Sequence, residues 1–362
     1  MSAGRSGSWA IYGAYGYTGR LIAEAAVAAG ERPVLAGRDA GRLGTVAAEL
    51  GLEARPFGLE EPARLAREVG RFDLVLHAAG PFVRTSAPMV RACLEAGAHY
   101  LDITGEIPVL EAIYARHGEA RAAGVALLPA VGFDVVPTDC LAAWVAARVG
   151  APVELEIAIA PSGRASAGTT KTLLAALARR GSLGLARRGG RLVERRIGET
   201  RRVLFSDGRE REALAGIPWG DLASAYRTTG ARDITVLMAS RPMARLAGVA
   251  PVLGRLLAAP PILQLAEAAV GRWVGGPDER ARREGRSLLW ARAEDAEGRS
   301  AEGWMETAEG YRFTALAAVE CARRVLAAGP SGALTPAGAF GPDLALAVAG
   351  TRRLERGEVA GA

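Results

Sequence analysis

Half of the 362 residues are hydrophobic, so the chain can bury a sizeable core, and its length favours two domains. Its net charge of +6 comes from 45 basic and 39 acidic residues, and arginines spread along the chain argue against a nucleic-acid-binding face. Three scattered cysteines and three histidines exclude a disulfide scaffold and argue against a bound metal. With no run of 18 uncharged apolar residues and no signal-peptide pattern, the sequence predicts a cytoplasmic protein.

Residues 1–8 are rich in Gly and Ser and are predicted to be disordered. The short apolar run 9–12 then predicts a buried parallel strand, followed by Gly13-Ala14-Tyr15-Gly16-Tyr17-Thr18-Gly19 and a helix-forming stretch. The first glycine permits a sharp turn, the second a close backbone approach to a ligand, and the third tight packing of helix on sheet. Amides of the first helical turn would face an anion. These features predict a pyrophosphate site at Gly13, Tyr15, Gly16, Tyr17, Thr18 and Gly19.

The second predicted strand, residues 33–36, is followed by Gly37 and Arg38, and Arg42 lies one helical turn later. In nucleotide-binding folds this position selects the cofactor, because a carboxylate binds a ribose 2′-hydroxyl and a cation binds a 2′-phosphate. Arg38 and Arg42 favour NADP, since a guanidinium can hold a phosphate with two hydrogen bonds. Asp39 is interpreted as the cap of the following helix; NAD selection by Asp39 and a surface role for both arginines stay open as alternatives.

Strands and helices alternate through the first part of the chain, which predicts a doubly wound parallel sheet over residues 9–149. Its remaining strands are predicted at 54–57, 72–77, 100–103 and 125–129. Longer connections after Gly150 predict a second, α+β domain over 150–310, built on a mixed or antiparallel sheet. Its strands are predicted at 153–160, 200–205, 234–239, 288–293 and 304–307, with a hairpin turn at 206–208. A helix over 311–328 opens a tail, 311–362, that is predicted to return to the first domain.

The fourth strand leads into His77-Ala78-Ala79-Gly80-Pro81-Phe82. Small residues at the carboxyl end of a central strand leave room for a cofactor, so Ala79, Gly80 and Phe82 are predicted to lie beside it. The competing interpretation is a simple tight turn, and His77 is expected to be a hydrogen-bonded core residue.

The fifth strand carries polar side chains in Tyr100-Leu101-Asp102-Ile103-Thr104-Gly105-Glu106. Strand alternation puts Tyr100, Asp102 and Thr104 on one face, and we interpret Tyr100, Asp102 and Glu106 as candidate catalytic groups. The alternatives are that Asp102 and Thr104 bond loop backbone, and that Glu106 caps the helix beginning near Pro108 instead of binding a substrate amine.

Two further segments open helices. In Pro129–Asp139, Gly132 and Phe133 are predicted to contact the cofactor, with a helix cap and a packed aromatic as the alternative. In Ser166–Lys171, Lys171 is a fourth catalytic candidate that would supply a proton or a carboxylate contact, against the alternative of a solvated helix lysine.

Residues 242–273 are rich in Leu, Ala, Val and Pro and are interrupted by arginines, so they are too broken to span a bilayer. One interpretation is a helical hairpin on the second domain or in a homodimer interface. The other is a mobile cover for a long-chain substrate or a peripheral membrane contact.

The motifs GAYGYTG, LAGRD, HAAGPF, YLDITGE and LLPAVGFDVVPTD resemble the saccharopine dehydrogenase/reductase-like NADP-binding family, in particular its bacterial trans-acting enoyl reductases. The resemblance extends to SAGTTKT, GGPDERARREGRSLLW and GYRFTALAAVECARRVLAAG in the second half. It implies a Rossmann-type domain with a substrate domain, NADP(H), and hydride transfer involving a C=N or activated C=C bond. In two departures from the pattern, His77 stands where asparagine is expected and Tyr15 where alanine or threonine is usual.

We therefore expect an NADP(H)-dependent reductase of an enoyl bond in a lipid-like or polyketide-like acyl substrate, with the cofactor carrying the hydride chemistry. Helix amides would stabilise the enolate, with water or Tyr100 as the proton source. The alternatives are a C=N reductase or amino-acid dehydrogenase, in which Asp102 or Glu106 holds the substrate amine, and a non-catalytic lipid-associated protein that retains the cofactor fold.

Overall fold

A computed structural model describes residues 8–162, 170, 174, 183–196, 199–240, 255–273 and 276–359. The chain forms two compact units. The first comprises Met1–Val136 and Tyr311–Ala349, and the second comprises Pro137–Gly310 and Gly350–Ala362.

The first unit is built on a seven-stranded sheet in which every pair of neighbours is parallel. In chain order its strands are β1 (Trp9–Tyr12), β2 (Val34–Gly37), β3 (Ala54–Pro56), β4 (Leu74–His77), β5 (His99–Asp102), β6 (Ala126–Leu128) and β15 (Gly332–Ala333). Their spatial order is β15-β6-β5-β4-β1-β2-β3. All four residues of β1 and of β4 are buried, as expected for central parallel strands covered on both faces. The predicted doubly wound parallel sheet is confirmed.

Helices connect these strands in the alternating pattern that the sequence predicts. They are α1 (Tyr17–Ala28), α2 (Ala40–Leu50), α3 (Pro62–Val69), α4 (Phe82–Ala96), α5 (Ile107–Tyr114), α6 (His117–Ala122), α11 (Gly310–Ala328) and α12 (Pro336–Phe340). The strand order reverses direction between β1 and β4. In such sheets ligands bind beyond the carboxyl ends of the strands at this switch point.

The second unit contains a mixed sheet, as predicted. Its strands are β7 (Pro152–Ala160), β8 (Leu183–Arg188), β9 (Arg191–Arg196), β10 (Thr200–Leu204), β11 (Glu210–Ala215), β12 (Asp233–Met238), β13 (Arg286–Asp295), β14 (Ser300–Ala308) and β16 (Arg352–Leu354). Strands β12 and β7 are parallel, and the other pairs are antiparallel. Its described helices are α7 (Val136–Val149, which begins on the last residue of the first unit), α8 (Asp221–Thr229), α9 (Pro260–Trp273) and α10 (Glu279–Glu284).

The sequence interpretation missed the hairpin of β8 and β9, although it predicted the turn between β10 and β11 correctly. The hairpin turn is Gly189-Gly190, and both glycines have positive φ. Two such residues match a two-residue hairpin turn. The many arginines in the flanking strands hid the alternating pattern, because their side chains do not distinguish a half-buried strand from a polar loop.

The unit boundaries differ from the predicted ones at two places. The first break lies at Val136/Pro137 rather than at 149/150, because α7 packs within the second unit: a Cβ at Gly303 of β14 would lie 2.5 Å from the ring of Trp144. The tail also divides, since Tyr311–Ala349 belongs to the first unit and Gly350–Ala362 to the second. The cause is that β16 pairs with β14 instead of with the parallel sheet.

Only part of the apolar segment 242–273 is described, since residues 242–254 lie outside the described ranges. The remainder contains α9, on which Ile262 and Leu265 are 44% and 74% exposed, and Leu256 just before it is 54% exposed. Within the described ranges, no helix combines the length and apolar character needed to cross a membrane.

Candidate functional site

The glycine turn after β1 is packed too tightly to accommodate side chains at its glycines. Gly13 has a φ of +88°, and a Cβ there would lie 2.8 Å from Cβ of Ala79. A Cβ at Gly19 would lie 2.3 Å from the carbonyl oxygen of Gly13, and one at Gly16 would lie 3.2 Å from the same oxygen. The three glycines therefore let strand, turn and helix approach one another more closely than side chains would permit.

The N-terminus of α1 differs from those of α2 and α4. Among the described residues, no side chain caps it, and its first turn, which holds Tyr17 and Thr18, contains no acidic residue. By contrast, Asp39 caps α2, and the carboxylate of Glu106 binds the first amides of α4. The positive end of the α1 dipole lies beside the glycine turn, a position suited to an external anion.

Two charged residues, Arg38 and Asp39, follow β2 and have different surroundings. Oδ1 of Asp39 accepts a hydrogen bond of 3.0 Å from the backbone N–H of Arg42, as the sequence analysis predicts, so that oxygen is committed to capping α2. Arg38 is exposed, and within the described ranges no hydrogen bond or ion pair engages its guanidinium. This arrangement favours a 2′-phosphate over a 2′-hydroxyl.

Tyr15 and Arg42 form a stack beside this position. The Arg42 guanidinium carbon lies 4.7 Å from the centroid of the Tyr15 ring. A Cβ at Gly37 would lie 2.6 Å from ring atom Cε1 of Tyr15, so the ring packs on the end of β2. The structure thus brings the Tyr15 ring together with the basic end of the predicted cofactor site.

The β4–α4 loop, Ala78–Pro81, packs against Gly13. The loop and the Gly13–Gly19 turn together are called the glycine cradle below. Ala79 is half-buried, Gly80 is exposed and Phe82 is buried at the start of α4. His77 is wholly buried, and burial lowers the pKa of its imidazole to about 3. It is a hydrogen-bonded core residue, as predicted, because its Nε2 lies 3.0 Å from Oγ1 of Thr85.

Tyr100 and Asp102 are brought together inside the protein. Both are fully buried, and the Tyr100 hydroxyl donates a 2.7 Å hydrogen bond to Oδ2 of Asp102. Burial raises the pKa of the Tyr100 hydroxyl well above its usual range, and it raises the pKa of Asp102 to about 6. A hydroxyl that is this buried and already engaged is a poor proton source for a bound substrate.

The Asp102 carboxylate also organises the loop after β6. Its Oδ1 accepts hydrogen bonds from the backbone N–H groups of Thr104 and Ala130, at 3.0 and 2.8 Å. Ala130 has a φ of 61°, a left-handed conformation that is costly for a residue with a Cβ. The geometry therefore favours the alternative in which Asp102 holds loop backbone.

Glu106 binds backbone at a helix other than the one considered from the sequence. Its Oε1 and Oε2 accept hydrogen bonds from the N–H groups of Phe82 and Val83, both at 3.0 Å. The carboxylate thus caps α4, whereas the sequence analysis weighed a substrate amine against the helix near Pro108. Both of its oxygens are occupied by the protein itself.

Gly132 and Phe133 lie against α11 in the first unit. The Phe133 N–H donates a 3.0 Å hydrogen bond to Oγ1 of Thr314, and its ring packs edge-on against Phe313 at 6.1 Å. A Cβ at Gly132 would lie 2.9 Å from Cγ2 of Thr314. This environment is that of a packed aromatic, the alternative interpretation, and cofactor contact by these two residues stays a prediction.

The sequence interpretation did not single out Asp134, which has a distinctive environment. Its Oδ2 would lie 2.6 Å from a Cβ at Gly105, so the carboxyl group lies beside the loop that follows β5. Burial raises its pKa to about 6, and no hydrogen bond engages it among the described residues. An unpaired carboxyl group with a raised pKa at the carboxyl edge of the sheet is a candidate functional group. Its place in GFDVVPTD, directly after Phe133, was the available signal.

The raised pKa of Asp134 predicts a pH effect on stability. Between its unfolded value of 3.8 and about 6, the folded protein keeps a proton that the unfolded chain loses, so this contribution is present at low pH and lost as pH rises through 6. In Asp134→Asn the side chain is a neutral amide at every pH in this range, so it never places a charge in the buried site. Its melting temperature should exceed that of the wild type by roughly 2–4 °C at pH 8, and the difference should shrink towards pH 4.

Asp207→Asn is a control of opposite sign. The hydrogen bonds from Arg211 lower the pKa of Asp207, so its stabilisation is present at neutral pH and is lost as pH falls. This variant should therefore melt below the wild type at pH 8. Thermal unfolding between pH 4 and 8 measures both variants, and an Asp134→Asn protein that melts below the wild type at pH 8 would contradict the assignment.

The residues of this edge fit a dinucleotide phosphate. A turn without space for side chains supplies the backbone approach that such a group requires. The α1 terminus supplies the dipole and the Arg38 guanidinium the cation, and neither is capped or paired by a side chain of the described residues. The fourth catalytic candidate, Lys171, lies outside the described residues.

Comparison with known protein families agrees with this fit. Residues 9–128 match the family model of the saccharopine dehydrogenase NADP binding domain. A trans-acting enoyl reductase from Mycobacterium leprae is 39% identical over 137 residues, which are 36% of this chain and 33% of the relative. The protein of the same name from Mycobacterium tuberculosis (strain ATCC 25618 / H37Rv) is 36% identical over 137 residues, with the same coverage. The match thus spans about a third of the length of these relatives.

Among solved structures, apo saccharopine dehydrogenase (L-Glu forming) from Saccharomyces cerevisiae has a TM-score of 0.63 at 11% sequence identity. The alignment covers 96% of this chain and all of that one. At this identity the likeness concerns the fold. This likeness in fold includes the second half of the chain, where the sequence analysis noted further motifs.

Proposed function

We propose that the protein is an NADPH-dependent reductase of an activated C=C bond in an acyl substrate, because residues 9–128 match the saccharopine dehydrogenase NADP binding domain. The observation that carries the proposal is the exposed Arg38 beside the Gly13–Gly19 turn, which no hydrogen bond or ion pair engages in the described part of the chain, while Oδ1 of Asp39 caps α2. That arrangement provides a site for a 2′-phosphorylated dinucleotide.

In this proposal the protein's own groups bind and orient the cofactor, and they provide the proton for the substrate. When bound, the cofactor supplies a hydride. The Gly13–Gly19 turn and the α1 terminus hold the diphosphate, and Arg38 holds the 2′-phosphate. Asp134 is half-buried and has a pKa of about 6, so it can carry the proton that reduction of a C=C bond consumes along with the hydride. Tyr100 is committed to Asp102.

Both carboxylates that the sequence analysis considered for a substrate amine are engaged by the protein, which favours C=C over C=N reduction. Asp102 accepts three hydrogen bonds from the protein. Glu106 uses both of its oxygens on α4. The relatives that match the first part of the chain are named trans-acting enoyl reductases, which supports the same choice.

The substrate class and the partners stay proposals. The exposed apolar side chains of Leu256, Ile262 and Leu265 are suited to a lipid-like or polyketide-like acyl chain, to a membrane surface or to a second copy of the chain. We propose a cytoplasmic location, with which the cysteines agree: Cys93, Cys140 and Cys321 are buried and form no disulfide among the described residues.

Oxidation of NADPH by the purified protein separates the candidate reactions. We expect turnover with 2-enoyl thioesters and none with pairs of an oxoacid and an amine, each monitored by loss of NADPH absorbance. Turnover with the oxoacid and amine pairs alone would replace the enoyl proposal with C=N reduction. Binding of NADPH without turnover of either class would favour the lipid-associated, non-catalytic alternative.

A further inference from the structure

The loop between β4 and α4, Ala78–Pro81, is held by a short chain of side-chain hydrogen bonds. Nε2 of His77 lies 3.0 Å from Oγ1 of Thr85. The same hydroxyl donates to the carbonyl oxygen of Ala79 at 2.8 Å, with that of Pro81 at 3.2 Å. Histidine, threonine and loop carbonyls therefore form one connected series.

The direction of this series follows from counting hydrogens. A hydroxyl has one hydrogen to donate, and here it is directed to the loop carbonyls. The Thr85 oxygen must then accept from His77, which puts the imidazole hydrogen on Nε2. Burial lowers the pKa of His77 to about 3, so the ring is neutral at physiological pH, with Nδ1 unprotonated and without a hydrogen-bond partner among the described residues.

Aromatic rings pack against His77 while it contacts Thr85. Its ring stacks on Tyr12 of β1 at 5.4 Å between centroids and meets Phe82 edge-on at 5.5 Å. The imidazole is wholly buried, so its Nε2 reaches Thr85 from inside the protein. The hydrogen-bond donor to Thr85 is thus preorganised.

The loop that this series holds is one wall of the glycine cradle. A Cβ at Gly13 would lie 2.8 Å from Cβ of Ala79 and 2.9 Å from its backbone nitrogen, so a small shift of Ala79 would change the space at the turn. Glu106 holds the next two amides, those of Phe82 and Val83. Thr85 therefore holds the carbonyls of Ala79 and Pro81, and Glu106 holds the amides that follow the loop.

We propose that His77 and Thr85 are positioning residues that orient the β4–α4 loop for dinucleotide binding. The inference rests on the proposed function, because it assumes that the Gly13 cradle binds the cofactor. It gives a role to the histidine that stands where the resembled family has asparagine. Neither residue is assigned contact with the cofactor, and both act through the backbone of Ala79.

Thr85→Val tests the series at its centre, since valine keeps the shape of threonine and loses both hydrogen-bonding functions. We expect the dissociation constants of NADPH and NADH, measured by fluorescence titration, to rise together by roughly three- to tenfold. Their ratio should stay unchanged, because the 2′-phosphate contact is not involved. Thr229→Val, which removes a hydroxyl–carbonyl bond within α8 of the second unit, should leave both constants unchanged.

A matched pair at His77 separates hydrogen bonding from packing. His77→Gln keeps an amide donor near the position of Nε2, whereas His77→Met has a similar length and no donor. We expect Gln to retain most of the wild-type affinity and Met to lose affinity as Thr85→Val does. Melting temperatures measured on all variants identify any that do not fold, and comparison of Gln with Met remains informative if valine at 85 unfolds the protein.

Equal affinities for the Gln and Met variants, or an unchanged affinity in folded Thr85→Val, would overturn the positioning role while leaving the proposed function intact. A wild-type protein that binds neither NADPH nor NADH would instead overturn the proposed function itself.

Discussion

Arg38→Ala should weaken NADPH binding by about ten- to a hundredfold and leave NADH binding nearly unchanged. The guanidinium lies directly after β2 and is exposed, and within the described ranges no protein group competes for it. A 2′-phosphate would therefore gain charge-assisted hydrogen bonds that a 2′-hydroxyl cannot form equally well. Fluorescence titration of both cofactors against both proteins gives the four dissociation constants that define the selectivity.

Arg32→Ala provides the matched control for this variant. Arg32 is also an exposed arginine, but it precedes β2 instead of following it. Its removal changes the net charge by the same amount and should leave the ratio of the two constants unchanged. If the wild type bound NADPH and NADH equally, or if Arg38→Ala weakened both to the same extent, the assignment of Arg38 to the 2′-phosphate would be wrong.

Gly19→Ala should damage both stability and cofactor binding. The added Cβ would lie 2.3 Å from the carbonyl oxygen of Gly13 and 2.9 Å from its carbonyl carbon, and both of these are backbone atoms that cannot rotate away. Helix α1 must therefore move outward or the turn must open. We expect the free energy of unfolding to fall by about 1–3 kcal/mol and NADPH affinity to fall at least tenfold, as measured by urea unfolding and by titration.

Gly44→Ala is the corresponding control within a helix. Gly44 lies in α2, and a Cβ there would meet no atom within 4 Å. Alanine is the better helix former by about 1 kcal/mol, so this variant should be as stable as the wild type or more stable, with unchanged affinity. A Gly19→Ala protein that behaved like Gly44→Ala would show that the turn has room to spare, and the packing argument would fail.

The local chemistry of single elements was readable from the sequence. The strand, glycine turn and helix at the N-terminus, and the cap at Asp39, depend on residues that are close along the chain. Backbone geometry and capping operate over a few residues, so their signals survive without tertiary context. The burial of His77 was likewise expected, because its strand is apolar.

The roles of the polar residues at the sheet edge required the tertiary structure. Glu106 caps a helix whose first residue is 24 positions away, and the Phe133 amide bonds a threonine 181 positions away. Asp134 is distinctive because burial raises its pKa and because it lies over Gly105, and neither property can be seen in GFDVVPTD.

By itself, the sequence determined a parallel α/β domain with a glycine turn between its first strand and helix, and it predicted a cation placed for a 2′-phosphate. The tertiary structure decided that backbone engages Asp102 and Glu106, that no hydrogen bond within the described residues engages Asp134, and where one unit ends and the next begins. The physical reason is range: turns and caps are contacts between near neighbours in the chain, whereas hydrogen-bond partners, desolvation and strand pairing depend on segments that meet only when the chain folds.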